Sequence, residues 1–240
     1  GWAVWALHAS GEWPRLLRLL PEDARGRAAV ARHLFAVTSA SHPPVLPEGT
    51  SLDRPQPLHV ALQSAFYYQG RFDEVEGLAD SAAKRGPVTA ALGQIYRVAA
   101  LRERGDAAAA RVTLDAVAPR VRASRYLEFW HQVEGELVFE EGDQEEALRL
   151  AREARRLSRR HGYRIGDRAL FAVSEGKMLV RMGLSDEARP VLDDARAWCD
   201  ARGLRGFGEW ASVWSSAAQL MSGDDPHAVS YTHLRAHETV

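Results

Sequence analysis

From residue 58 onward the apolar positions recur three and four residues apart, and polar stretches centred on one glycine interrupt them at regular intervals. The segment LRLAREARRLSRRHG shows the rhythm. Leu148, Ala151, Ala154 and Leu157 fall on one stripe, with Arg152, Arg155, Arg156, Arg159 and Arg160 on the rest of the surface. Such a period predicts amphipathic helices. The interruptions read YYQGRFDEV, RERGDAAAA, FEEGDQEEA, VRMGLSDEA and LMSGDDPHA, around Gly70, Gly105, Gly142, Gly183 and Gly223, at separations of 35, 37, 41 and 40 residues. Recurrence on that scale marks a helical repeat array, in which each unit buries its apolar stripe only against its neighbours.

The residues around each glycine fit a helix end followed by a helix start. Glycine takes the left-handed backbone that closes a helix at little cost. A candidate N-cap follows each: Asp73, Asp106, Asp143, Ser185, and Asp225 ahead of Pro226. Asp73 with Glu76, and Asp143 with Glu146, have the spacing of an acidic capping box. Small or aliphatic residues recur five positions after the glycine (Val75, Ala110, Ala147, Ala188) and twelve after it (Ala82, Val117, Ala154, Ala195). At those points two antiparallel helices can approach closely.

Together these positions resemble the tetratricopeptide repeat, a two-helix unit with small residues at fixed points on both helices. Gly135 and Gly176, each seven residues before its turn glycine, match the small residue of the family's first helix. Leu62, Phe66 and Pro87 fall at its large-apolar and terminal-proline points, whereas Arg97 and Val98 depart from the pattern and the Trp position is not kept in register. The resemblance covers residues 58–228, about four and a half units. It implies an all-α fold: a right-handed superhelical solenoid of antiparallel helix pairs, whose first helices line a concave groove. On this chain the exposed groove positions would be Tyr67, Tyr68, Tyr96, Arg102, Gln132, Glu136, Lys177 and Arg181, then Trp210 and Trp214. Aromatics and arginine dominate binding hot spots, although the two tryptophans also fit packing against a further helix. The family's carboxylate clamp for C-terminal peptides uses Asn side chains, and this chain has no Asn. That ligand class is therefore not expected.

The flanks read differently. Residues 1–40, with WAVWALHASGEWPRLLRLL and GRAAVARHLFAV, fit short helices of a degenerate repeat or the end of a preceding array. SHPPVLPEGTSLDRPQP, residues 41–57, holds five prolines and reads as a long loop or a boundary between sub-arrays. VSYTHLRAHETV, residues 229–240, resembles a sequencing adaptor translated in one frame, and Ala228 satisfies the codon constraint that this reading imposes. The tail is set aside from the fold, and His233 and His237 within it are not counted as half a zinc site. With Gly1 first and no initiating Met, the chain is expected to be an internal piece of a longer reading frame. The helix around Trp210 to Met221 would then lack its partner, and its apolar surface is expected to fray or self-associate.

Composition narrows function by exclusion. The formal net charge of −1 gives no global pull toward nucleic acid or a membrane surface, and no apolar run approaches the ~20 residues of a spanning helix. The single cysteine, Cys199, excludes an internal disulfide framework and suits a cytoplasmic location, as a packed thiol rather than a nucleophile. Arg104-Gly105-Asp106 spells an adhesion tripeptide, but it occupies the same turn as Gly70, Gly142 and Gly183. GLRGFG, residues 203–208, lacks the strand and Gly-Lys-Ser/Thr of a phosphate loop and reads as an inter-repeat turn. The histidines upstream of the tail show no metal-ligand spacing, so no catalytic residue, metal or cofactor is expected. Arginines crowd one helix end (Arg152, Arg155, Arg156, Arg159, Arg160, Arg164, Arg168), but Glu145, Glu146, Glu153 and Asp167 dilute them, which argues against nucleic-acid contact.

Three functions follow from the resemblance. SDEARPVLDDA and EEALRLAREARRLSRRHG look like repeats of large ATP-binding bacterial regulators with a LuxR-type DNA-binding end. There the array would bind a protein, a peptide or a small-molecule inducer. The alternatives are a free-standing adaptor for a peptide or partner protein, and an accessory domain of an enzyme.

Overall fold

The turn at Gly105 explains how the chain reverses. Its φ of +82° lies in the left-handed region, where a side chain would cost roughly 1–2 kcal/mol. The Gly105 N–H donates to the Arg102 carbonyl, and the Asp106 N–H reaches back to Leu101. This is the double bond of a Schellman closure. Gly70, Gly142, Gly183 and Gly203 repeat the same pair of bonds with the same sign of φ.

The computed structural model describes residues 63, 66, 67, 70–82, 84, 87–122, 127–161 and 165–222. Eight helices lie among them, and no strand does: α1 (Phe72–Ala82), α2 (Pro87–Glu103), α3 (Ala107–Arg122), α4 (Leu127–Glu140), α5 (Gln144–His161), α6 (Ile165–Arg181), α7 (Ser185–Asp200) and α8 (Arg205–Met221). Gln63, Phe66 and Tyr67 are also helical. Tyr68, Leu62, the turn at Gly223, the expected helices of residues 1–40, the proline-rich stretch 41–57 and the tail 229–240 lie outside the described residues. No helix among those described is long and apolar enough to cross a membrane.

Helix starts correct two expectations. In every turn the N-cap is the residue directly after the glycine. Asp106 and Asp143 therefore cap as expected, accepting from the Ala109 and Glu146 N–H groups at 3.0 and 3.1 Å. Asp73 and Ser185 do not. Arg71 and Leu184 occupy the cap positions, and the two expected caps fall within the first turn. The turn geometry is set by the glycine, so the position is fixed even where its residue cannot cap. The capping boxes are also incomplete: Glu146 turns to Arg149, and both Asp73 and Glu76 accept from Arg104.

Packing follows the small-residue rhythm. All eight positions five and twelve after the glycines are buried. Each helix packs on its sequence neighbours, and α2 also reaches α4 as α6 reaches α8. Close approach is tightest at Gly176, where an added Cβ would lie 2.4 Å from Leu192 Cδ2. At Gln63, seven residues before Gly70, a long side chain is wholly buried. Its Nε2 donates to the carbonyls of Val75 and Gly93 at 3.0 and 2.9 Å, tying three segments together. The core continues through α4 and α6 as an edge-to-face pair, Phe129 and Phe171, with centroids 5.1 Å apart. At the far end α8 leaves Val213 and Met221 exposed.

Candidate functional site

Three even-numbered helices, α2, α4 and α6, bring charged residues from distant parts of the chain onto one carboxylate. Glu136 of α4 lies between Arg102 of α2 and the pair Lys177 and Arg181 of α6. Arg102 Nη1 donates to Glu136 Oε2 at 2.9 Å, Arg181 Nη1 to the same oxygen at 3.3 Å, and Lys177 Nζ stands 3.9 Å from Oε1. The fold places them by offset from the turns. Glu136 and Lys177 each lie six residues before their glycine, so consecutive units set them side by side.

Burial makes this electrostatically expensive to leave uncompensated. The side chains of Arg102 and Glu136 are 9% and 8% exposed. Burial alone would raise the pKa of Glu136, but Lys177, Arg102 and Arg181 outweigh it and hold the carboxyl at about 2. Burial likewise disfavours the Arg102 cation, yet Glu136, with Tyr67, Glu103 and Glu140 around it, keeps its pKa above the ordinary value. Glu140, half-buried, is pushed upward by burial and by Glu136 despite its 3.2 Å contact with Arg102. Glu103 completes the set, bonded to Arg102 and accepting from the Tyr67 hydroxyl at 3.2 Å. Burial raises the pKa of that phenol, with Arg102 opposing.

Aromatic rings border the charges. Tyr67 and Tyr96 lie 6.2 Å apart, Arg181 sits over Phe139 at 4.1 Å, and Lys177 faces Trp214 at 5.8 Å. Gln132 donates to Ser174 Oγ at 3.0 Å, a further link from α4 to α6. Tyr67, Arg102, Glu136, Lys177 and Arg181 thus meet in one network, and Tyr96 and Gln132 border it. The structure corrects one aspect. Arg102 and Glu136 are interior to the network instead of exposed on a surface, because each neutralises the other. Trp214 is buried and Trp210 partly so, both against the apolar core.

Sequence reasoning missed Phe139, Glu103, Glu140 and Ser174. A signal existed for each. Phe139 stands three residues before its glycine, as Tyr67 and Arg102 do, and Glu103 and Glu140 stand two before, as Arg181 does. Ser174 holds the offset of Tyr96.

Chemically the site holds and orients charge. A carboxylate at about 2 is a poor general base at neutral pH. Cys199 is buried, and burial together with Asp200 pushes its thiol up to about 12, which removes its nucleophilic form. The Arg104-Gly105-Asp106 side chains are engaged locally, Arg104 with Asp73 and Glu76, and Asp106 as the cap of α3. Comparison with family models, with curated proteins and with solved structures gave no match.

Proposed function

We propose that the chain is a helical-repeat binding scaffold of tetratricopeptide type, which holds a protein or peptide partner on the face formed by α2, α4 and α6. The observation that carries this is the Arg102–Glu136–Lys177–Arg181 network. A buried ion pair adds little net stability over apolar packing of the same volume. Three cations on one buried carboxylate, ringed by Tyr67, Tyr96 and Phe139, are therefore better accounted for by recognition than by folding. The repeated turns and the small residues at fixed offsets support the solenoid reading. Likeness of SDEARPVLDDA and EEALRLAREARRLSRRHG to the repeat arms of large LuxR-type ATP-binding regulators supports a role as the sensing or interaction arm of a bacterial regulator.

The test is selection from a random peptide display library on the intact chain. Peptides enriched on the wild type lose their enrichment on Lys177→Ser/Arg181→Ser and keep it on Arg149→Ser, a distant exposed control. Enrichment indifferent to the double substitution contradicts the proposal.

A further inference from the structure

A second set of arginines gathers at the other end of α6, ~20 Å along the helix from Arg181 at 1.5 Å per residue. A narrow groove between α5, α6 and α7 is lined by Arg155, Arg159, Arg168, Asp194 and Trp198, and floored by alanines. Among the described residues its only acid is Asp194, which already serves two cations: Arg159 Nη2 at 3.3 Å and Arg155 Nη2 at 3.6 Å. Arg155 also reaches Glu175, at 3.2 Å. Arg168 has no carboxylate partner among the described residues. Its guanidinium lies 3.7 Å from the Trp198 ring centre, and that of Arg202 lies 3.3 Å from it. Atoms that close to a ring centre must lie near its normal, so the two cations cover opposite faces of the indole.

We propose that this groove is an anion site for the phosphate group of a small phosphorylated ligand, bound across its mouth by Arg159 and Arg168. Arg155, Arg159 and Arg168 meet two described carboxylates, Asp194 in the lining and Glu175 behind Arg155, and Arg202 behind Trp198 adds a fourth cation. This excess matches a phosphate better than a single carboxylate, and guanidinium forks suit its oxygens. Burial, then the neighbouring Arg159, lowers the pKa of Arg168; the charge of an arriving anion counters the Arg159 repulsion. The free interior measures about 10 Å³, room for no more than a water, so the ligand sits at the rim, where Arg159 is well exposed. Both faces of Trp198 are taken, which excludes stacking of a nucleobase, and a net charge of −1 supplies no extended track for a polynucleotide.

Calorimetric titration of the full chain at constant ionic strength tests this, with inorganic phosphate, ribose 5-phosphate and single-stranded oligonucleotides of increasing length as probes. Saturable binding is expected for one or both small probes. A tighter ribose 5-phosphate identifies an organic phosphate as the ligand, and equal affinities identify the free anion. Arg159→Gln/Arg168→Gln weakens binding at least about tenfold, while Arg149→Gln/Arg156→Gln, with the same loss of charge, does not. Far-ultraviolet circular dichroism confirms that each variant is folded, and Arg168→Lys gives an intermediate affinity. Binding that never saturates, or that both double variants lose equally, overturns the site. Oligonucleotide affinity that climbs with length and exceeds both small probes overturns the small-ligand assignment.

Discussion

The two ends of α6 use the same residue types to opposite effect. Near its C-terminus Lys177 and Arg181 converge on Glu136, which is buried, ionised and hydrogen-bonded. Near its N-terminus Arg168 stacks on Trp198 and has no carboxylate of its own among the described residues. The difference lies in what the neighbouring helix supplies. α4 places Glu136 and Glu140 opposite the first group, whereas α7 offers the second only Asp194, already shared by Arg155 and Arg159. A cation count along the sequence therefore says little about available charge. The partners across the helix interface decide it.

Breaking the compensated end has the largest expected effect. Arg102→Ala strips Glu136 of its shortest bond and is expected to destabilise the fold by about 3–5 kcal/mol, the cost of opening a buried pair, measured by urea denaturation. Acid attacks the same bond from the other side. The carboxyl of Glu136 is depressed to about 2 in the folded state, against an ordinary unfolded value near 4.3. Its contribution is complete above the unfolded value and is lost as pH falls from about 5 toward 2. It amounts to about 3 kcal/mol at pH 7. Denaturation across that window is steeper for the wild type than for Glu136→Gln.

Packing between these ends ranks next. Gly176→Ala would bring a methyl group within 2.4 Å of Leu192, and a loss of about 1–3 kcal/mol is expected from overpacking, seen as a lower thermal midpoint. The uncompensated end gives the smallest response. Arg168→Gln removes one stacking contact and some repulsion from Arg159, so its stability stays within about 1 kcal/mol of the wild type. Loss comparable to Arg102→Ala would mean that the two ends are not different after all.

Much of this was legible in the chain, and for local reasons. A left-handed glycine and the small residues five and twelve positions later impose their geometry through the backbone, so spacing alone locates the turns and the buried positions. The N-caps at Asp73 and Ser185 were misplaced because residue preference was followed where turn geometry decides. The helices also run through Pro119 and Pro190, which residue rules would have broken. At the site, offsets selected Tyr67, Arg102, Glu136, Lys177 and Arg181. They could not show that Glu136 would be buried among the cations, because burial depends on how far one helix slides past the next. The pairing of Asp194 with two arginines, which leaves Arg168 over, is a three-helix property with no sequence signature.

The most direct test of the proposed binding face is hydrogen exchange of the full chain with and without a display-selected peptide. The account predicts added protection along α2, α4 and α6, centred on the segments that carry Arg102, Glu136 and Lys177. Protection confined to α3, α5 and α7, or none at saturating peptide, would contradict it.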